Sequence, residues 1–306
     1  MNKTIALFLL FTTLLSAEII TPIPDVKPFD KAKVALGKKL FFDTNFSKDR
    51  TVSCASCHSD FGADKRALSL GVENKKGVIH TPTVFNAVNN YKQFYNGRAV
   101  NLSKQIDGPI HTDYEMGTSD RDVENNLNTS KEYQATFKKV YNQVPSYKLF
   151  KDAIVAFEET LLTPNSSFDR FLKGENSLTQ LEKDGFNSFK EHGCAACHNG
   201  VNVGGNSMQM IGSVIEYPYM EGQLDLYALT KKEMDKNVFR VPSLRNINKT
   251  APYFHDASAS TLKEAVIKMS YYNLGTIIED KETEAIVAFL KTLDGDIPKT
   301  WSEDVK

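Results

Sequence analysis

The sequence is short of three things: cysteine, with four in 306 residues, tryptophan, with one, and net charge, which is −1 at pH 7. A charge this close to zero gives no electrostatic footprint for a nucleic acid, so we expect no such partner. After its first residues the chain also lacks an apolar run of about 20 residues, the length that crosses a bilayer. These absences exclude a nucleic-acid-binding protein and a membrane span in the mature chain.

The first seventeen residues, MNKTIALFLLFTTLLSA, combine one early lysine, an apolar run over 5–15 and the small residues Ser16 and Ala17. This layout predicts a secretory signal peptide over 1–17. The run is too short for a spanning helix, and an uncleaved N-terminal anchor is the alternative. We therefore expect a mature protein of about 289 residues in the periplasm, long enough for two domains.

All four cysteines lie in two Cys-x-x-Cys-His units, SCASCH at 53–58 and GCAACH at 193–198. Exported cysteines commonly form disulfides, but two cysteines this close seldom make a stable structural bridge. A zinc site also uses such pairs, yet it does not explain the histidine after each one. The unit is the attachment signature of c-type haem, with the histidine as iron ligand. The predicted ligands of two covalent haems are Cys54, Cys57, His58, Cys194, Cys197 and His198.

The chain also repeats itself outside the haem units. Residues 82–102 align without a gap with 242–262, at a shift of 160, and five of 21 positions are identical. AIVAFEETL at 153–161 matches AIVAFLKTL at 285–293 at seven of nine positions. Haem unit, Pro-Asn-Phe stretch and Ala-Ile-Val-Ala-Phe segment therefore recur in one order, which predicts an internal duplication.

Apolar residues at spacings of three and four predict amphipathic helices in the recurring segments. These residues are Ile154, Phe157, Leu161, Ile286, Phe289 and Leu293. A similar spacing predicts a helix that leads into the second haem unit, at Leu178, Leu181, Gly185 and Phe189. No long alternating pattern indicates a sheet. We expect a mainly α fold of two tandem haem domains, 18–165 and 166–306, with a boundary near TPNSS at 163–167.

The two halves differ where a second iron ligand is expected. At the shift of 160, Met269 aligns with Pro109. Methionine opposite histidine gives a closed, high-potential electron-transfer haem, whereas proline cannot bind iron. Core packing is the other interpretation of Met269. The rival sulfur ligands are Met208, Met210, Met220 and Met234. We favour Met269, which makes the second haem closed and leaves the first open to a small molecule.

Eight motifs between about 35 and 290 resemble the bacterial dihaem cytochrome c peroxidase family, which also includes the dihaem enzyme that matures tryptophan tryptophylquinone. They are LGKKLFFD, SCASCH, TPTVFNAV, FYNGR, GCAACHNGVNVGG, FRVPSLRNI, APYFHDAS and TLKEAVIKM. The resemblance implies two cytochrome-c-like domains with one haem each. It also implies reduction of hydrogen peroxide to water with electrons from a small periplasmic donor, a monohaem cytochrome c or a copper protein. Family members are often dimers, so a homodimer is implied as well.

Position by position, the resemblance makes His58 the proximal ligand of the peroxidatic haem and His198 with Met269 the ligands of the electron-transferring haem. Gln105 and Glu115 match the polar pair over the open iron. Glu115 would move a proton between the two peroxide oxygens as their bond breaks. Without the family match, this glutamate would be interpreted as a solvated loop carboxylate.

Several positions depart from the family pattern. Val72 stands where many members have a histidine that caps the peroxidatic iron until reduction elsewhere releases it, so we expect this iron to be open at rest. His80 is the nearby histidine that would overturn this expectation. It also replaces an asparagine of the family's calcium site, to which Thr250 and Pro252 would contribute carbonyls. Calcium prefers oxygen ligands, so the resemblance implies the ion while the histidine argues against it.

Tyr95 replaces the tryptophan expected between the haems, and Trp301 is too close to the C-terminus to take that role. His255, the duplicate partner of Tyr95, is expected near the second haem, either as a hydrogen-bonding residue or as a structural histidine. The favoured function is a peroxidase. One alternative is a maturation oxidase acting on a partner protein. In the family member with that activity, a tyrosine takes the place of Met269. The other is an electron-transfer cytochrome with both irons saturated.

Overall fold

The computed structural model describes residues 19–305, so the predicted signal peptide over 1–17 lies outside the described residues. Within that range the chain is mainly helical. The helices up to residue 158 are α1 Lys31–Phe42, α2 Cys54–Cys57, α3 Leu102–Gln105, α4 Asp107–His111, α5 Asp120–Thr129, α6 Lys131–Tyr141 and α7 Tyr147–Glu158. Those that follow are α8 Ser167–Leu172, α9 Gln180–Glu191, α10 Tyr227–Thr230, α11 Leu262–Met269, α12 Asp280–Lys291 and α13 Lys299–Ser302. The mainly α prediction is confirmed.

One small sheet accompanies the described helices. Its strands, β1 Met208–Met210 and β2 Val238–Arg240, pair antiparallel, with Met208 opposite Arg240. No helix between residues 19 and 305 combines the length and the apolar character that a bilayer crossing needs.

Each half is built on two helices that cross at a glycine. In the first half α1 meets α7, and a Cβ on Gly37 would lie 1.9 Å from the carbonyl oxygen of Ala153. In the second half α9 meets α12, and a Cβ on Gly185 would lie 1.8 Å from the carbonyl oxygen of Ala285. Real Cβ atoms do not approach oxygen this closely, so both crossings require glycine. The same contact at matched positions is what an internal duplication produces.

The helix faces predicted from spacing pack into two hydrophobic cores. The residues predicted on the closing helices are all buried in these cores: Ile154, Phe157, Leu161, Ile286, Phe289 and Leu293. Leu178 and Phe189 are buried in the second core as well. Leu181 is 51% exposed, so its predicted place on the inner face is wrong. The physical reason is that α9 begins at Gln180 and places its second residue on the solvent side.

The two ends of the described chain each pack against the opposite half. Ile20 is buried in the second core, and the N–H of Ile23 donates to Asp169 Oδ1 over 3.1 Å. Trp301, in α13, stacks on Phe157 of the first core with ring centroids 6.3 Å apart. Because each end of the described chain packs on the opposite half, the two ends stabilise the contact between the halves. Trp301 therefore has a packing role.

Two backbone hydrogen bonds join the halves reciprocally. The N–H of His80 donates to the carbonyl of His255 over 2.8 Å, and the N–H of Arg240 donates to the carbonyl of Tyr95 over 2.6 Å. At the shift of 160, His80 corresponds to Arg240 and Tyr95 to His255. Each bond is therefore the counterpart of the other, and the register of the sequence alignment holds in three dimensions.

Candidate active site

The first Cys-x-x-Cys-His unit lies at the wall of a partly enclosed cavity. Helix α2 carries Cys54 and Cys57, and the chain then turns so that His58 Nδ1 lies 2.8 Å from the carbonyl oxygen of Gly62. A ring that is held through Nδ1 keeps Nε2 available for a metal. All three residues line this cavity. Two thiols and an imidazole thus border one space, as haem attachment requires.

The second unit presents the same donor types around His198, with a difference at the histidine ring. Cys194 begins a short 3₁₀ turn, Cys194–Ala196, and Cys197 follows it. The ring of Phe189 lies 6.4 Å from that of His198, as the ring of Phe41 lies 6.3 Å from that of His58. His198 is buried, and its Nδ1 has no hydrogen-bond partner among the described residues. The repeated geometry places equivalent donor sets in the two halves.

The chemistry of these donors fits haem. Burial lowers the pKa of His58 and lowers that of His198 to about 4, so both rings are neutral at pH 7, the form that binds iron. All four cysteines are free and are not paired as disulfides. Residues 19–305 contain no group of three or more Cys, His, Asp or Glu side chains placed to hold a metal ion. The donors of each unit are therefore not placed as a tetrahedral zinc site, and they match a haem that brings its own ring nitrogens.

The predicted polar pair lies in the first cavity. Gln105, from α3, and Glu115 both line it together with His58. Glu115 is half-buried, and burial raises the pKa of its carboxyl while the positive charge of Arg98 lowers it. The structure thus brings the two residues and the histidine to one site. The alternative of a solvated loop carboxylate does not describe Glu115.

The segment around Val72 braces the loop that carries Glu115. The N–H of Val72 donates to the carbonyl of Glu115 over 2.9 Å. A Cβ on Gly71 would lie 2.1 Å from the carbonyl oxygen of Tyr114, so this approach requires glycine. The Val72 side chain itself is fully buried in the first core. The position that carries a capping histidine in many relatives therefore has a packing role here.

Four residues that line the first cavity were not predicted as site residues: Phe94, Arg98, Glu158 and Arg240. The guanidinium carbon of Arg98 lies 3.3 Å from the centre of the Phe94 ring. Glu158 is buried, its Oε2 has no hydrogen-bond partner within 19–305, and burial raises its pKa to about 8. The two arginines belong to the motifs FYNGR and FRVPSLRNI. The duplication could have indicated that Glu158 is buried, because the apolar residue Leu290 stands at the matching position of the second half.

An aromatic chain connects the first cavity with the second half. Tyr95 lines the cavity and meets Phe239 edge to face, with ring centroids 6.4 Å apart. Phe239 stacks on His255 at 4.2 Å, and the buried His255 Nε2 has no hydrogen-bond partner in the part of the chain that the structure describes. His80 also lines the cavity, with Nδ1 3.2 Å from the carbonyl oxygen of Arg66. The backbone hydrogen bond between His80 and His255 therefore lies at the junction of the two halves.

Met269 is the last residue of α11 and is half-buried. Its counterpart Pro109 lines the first cavity. The duplication therefore predicts that Met269 lies near the haem of the second half. The Sδ atom of Met208 packs beside Gly97 of the first half. The other three rivals are exposed by 36, 43 and 75%: Met210, Met220 and Met234. These positions favour Met269 over the other methionines.

The predicted calcium position has a poor donor set. His80 presents an imidazole there, and its backbone N–H is already used by the carbonyl of His255. Thr250 and Pro252 follow the 3₁₀ turn Ile247–Lys249, without an acidic cluster of three side chains in the described chain. Calcium prefers several oxygen ligands, so the imidazole of His80 argues against the ion, and no step below involves it.

Two family descriptions match the chain. Residues 31–177 match the family described as di-haem cytochrome c peroxidase, and residues 182–294 match cytochrome c. Cytochrome c551 peroxidase of Nitrosomonas europaea is 43% identical over 285 residues, which cover 92% of this chain and 85% of the relative. The protein of that name from Pseudomonas aeruginosa is 38% identical, with coverages of 93% and 86%.

A solved structure is also similar over nearly the whole chain. The crystal structure of a MauG-like protein associated with microbial copper homeostasis has a TM-score of 0.80 and 26% identity, and the match covers 94% of this chain and 96% of that one. Relatives at about 40% identity over most of the chain support a peroxidase with two haems. The chain belongs to the di-haem cytochrome c peroxidase family.

Proposed function

We propose that this protein reduces hydrogen peroxide to water in the periplasm, with electrons that enter at the second haem and are used at the first. The observation that carries the proposal is that Glu115 and Gln105 line the same cavity as His58. A carboxyl and an amide in a haem cavity provide proton transfer and a hydrogen-bond donor beside a bound oxidant.

The chain contributes proton handling to the reaction, which consumes one peroxide, two electrons and two protons and yields two waters. When bound, haem supplies the iron that exchanges electrons. Glu115 takes a proton from one peroxide oxygen and returns it to the other as the O–O bond breaks. Its raised pKa suits this role, because a weaker acid is a better base for the first transfer. Gln105 orients the peroxide from the same wall.

We further propose that His198 and Met269 are the ligands of the second haem. Two strong ligands leave no place for peroxide, so this iron only passes electrons. The donor is a small periplasmic redox protein, a monohaem cytochrome c or a copper protein. The aromatic chain through His255, Phe239 and Tyr95 is the packed route between the halves.

The first haem is proposed to be open in the fully oxidised protein, because Val72 replaces the capping histidine. Its spectrum and electron paramagnetic resonance should then show a high-spin, five-coordinate ferric haem without prior reduction. A low-spin bis-histidine signal from the first haem would contradict this proposal and would identify His80 as the ligand. A His80→Ala variant would separate that case from a ligand supplied by solvent.

The decisive test of the function is a donor-oxidation assay. The holoprotein is mixed with peroxide and a reduced small cytochrome c, and the oxidation of the donor is followed. We expect catalytic oxidation of two donor molecules for each peroxide. Absence of turnover from a protein with an open first haem would reject the peroxidase.

The same assay separates the alternatives. An electron-transfer cytochrome would have two saturated irons and no peroxide turnover. A maturation oxidase would oxidise a partner protein in the presence of peroxide without needing the donor. Met269 argues against that enzyme, although Tyr271 and Tyr272 follow it closely.

The domain boundary near 163–167 and a homodimer are also proposed. Light scattering of the holoprotein tests the dimer.

A further inference from the structure

Arg240 is a buried cation that lines the first cavity although it belongs to the second half. It ends β2 and is 4% exposed. Its Nε donates to the carbonyl of Phe94 and its Nη1 to that of Val241, each over 3.3 Å. Its Nη2 has no hydrogen-bond partner in residues 19–305. The guanidinium therefore keeps donors that no described group of the protein uses.

The charge of Arg240 also lacks a partner within the described chain. Arg245, the other deeply buried arginine of this region, pairs with Asp169 at 2.8 Å. No carboxylate lies within ion-pairing distance of Arg240, and burial lowers its pKa. A buried charge is strongly unfavourable unless an opposite charge compensates it. An anion should therefore come from whatever fills the cavity.

The two carboxyl groups of the cavity do not supply that anion. Glu158 is neutral at pH 7, because burial raises its pKa to about 8. Glu115 interacts with Arg98, whose guanidinium lies over the face of the Phe94 ring. A haem brings two carboxylates on its propionate side chains, and an arginine fork matches a carboxylate with two parallel hydrogen bonds.

We propose that Arg240 binds a propionate of the first haem, so that the second half of the chain supplies an anchor for the haem of the first half. The backbone fixes the arginine for this role, because its N–H donates to the carbonyl of Tyr95 over 2.6 Å. Its counterpart at the shift of 160 is His80, so the second haem has no arginine at the matching place. The anchor compensates negative charge beside the first iron and favours its ferrous state.

This proposal rests on the first haem of the proposed function, attached at Cys54 and Cys57, but not on peroxide turnover. The experiment titrates both haems of the holoprotein spectroelectrochemically in the wild type, Arg240→Gln and Arg240→Lys. Arg121→Gln removes a surface arginine as the matched control. Resonance Raman spectra report the propionate bending bands, and the haem content of each variant is measured.

We expect Arg240→Gln to lower the ferrous-to-ferric ratio of the first haem about tenfold at a given potential, which is about 59 mV for one electron. The second haem and the Arg121→Gln protein should keep wild-type potentials. Arg240→Lys keeps the charge but loses the fork, so its potential should stay near that of the wild type while a propionate band shifts. Loss of the first haem alone in Arg240→Gln would also support the anchor.

Unchanged first-haem potential and propionate bands in a fully loaded Arg240→Gln protein would overturn the proposal. If that variant loses both haems, Arg240→Lys decides, and unchanged propionate bands in it would reject the anchor. Donor oxidation by peroxide is measured in parallel on the wild type. A wild type without turnover but with the expected shift in Arg240→Gln would reject the peroxidase and retain the anchor.

Discussion

The side-chain amides of Asn86 and Asn246 donate to one shared acceptor, the hydroxyl oxygen of Thr163, over 2.7 and 2.8 Å. One asparagine comes from each half, and all three residues are buried. Both asparagines have φ of 60°, in the left-handed region that asparagine tolerates better than most residues. Thr163 is therefore a polar junction of the two duplicated halves.

Replacing this junction should destabilise the whole protein. In Thr163→Val both amides lose their acceptor in a buried site, and each unsatisfied group costs about 1–3 kcal/mol. We expect the free energy of unfolding of the holoprotein, measured with denaturant, to fall by about 2–6 kcal/mol for the two groups together. Thr136→Val, which removes one hydroxyl bond to the carbonyl of Glu132, should change it by less than about 0.5 kcal/mol. Equal losses in the two variants would contradict the junction.

Glu115→Gln should remove the acid–base step and leave the haems in place. General acid–base groups contribute about 10²–10⁴-fold, so we expect kcat/KM for peroxide to fall within that range. In the wild type, kcat/KM should rise with pH as Glu115 ionises, and this limb should lie above pH 4.5 because burial raises the pKa. The limb should be missing in Glu115→Gln.

The control for this experiment is Glu175→Gln, an exposed glutamate outside the cavity. It should keep both the rate and the pH profile of the wild type. A Glu115→Gln protein that retains the low-pH limb would assign that limb to another group and remove Glu115 from proton transfer.

Glu158 should make stability depend on pH. Its native pKa, about 8, lies above the ordinary 4.5, so between these values the folded protein holds a proton that the unfolded chain has released. The free energy of unfolding should therefore fall as pH rises through this window, by at most about 1.36 kcal/mol per pH unit. Glu158→Leu, which copies Leu290 of the second half, should remove this slope.

Denaturation of the holoprotein at pH 6 and pH 8 measures the slope. Glu175→Gln, which removes an exposed glutamate of the second half, is the control and should behave as the wild type does. If Glu158→Leu keeps the wild-type difference between the two pH values, the buried carboxyl is not its source.

Met269→Ala should open the second haem. Without the sulfur ligand we expect a lower midpoint potential for that haem and loss of donor oxidation, because electrons no longer enter at a suitable potential. Absorbance of the ferric protein in the region of the sulfur–iron charge-transfer band provides a direct readout. Met234→Ala, which removes an exposed rival, should leave both properties unchanged. A retained band in Met269→Ala would transfer the ligand role to another methionine.

Several features of the fold could be predicted because they depend on local pattern. The spacing of Ile154 and Phe157 predicted a buried helix face, since a helix repeats every 3.6 residues. The same reasoning failed for Leu181, because spacing does not specify where a helix begins, and one residue of shift moves a side chain to another face. The exchange of chain ends at Ile20 and Trp301 had no local signal, since it depends on contacts distant in sequence.

The sequence by itself determined the candidate iron ligands: two Cys-x-x-Cys-His units and a duplication that pairs Met269 with Pro109. These follow from residue type and spacing, whereas the polar pair at Gln105 and Glu115 was implied by the family resemblance. Only the tertiary structure decided which groups lose water and which meet across the halves. The raised pKa of Glu158 and the unpaired charge of Arg240 arise from burial between distant segments, and burial depends on three-dimensional packing.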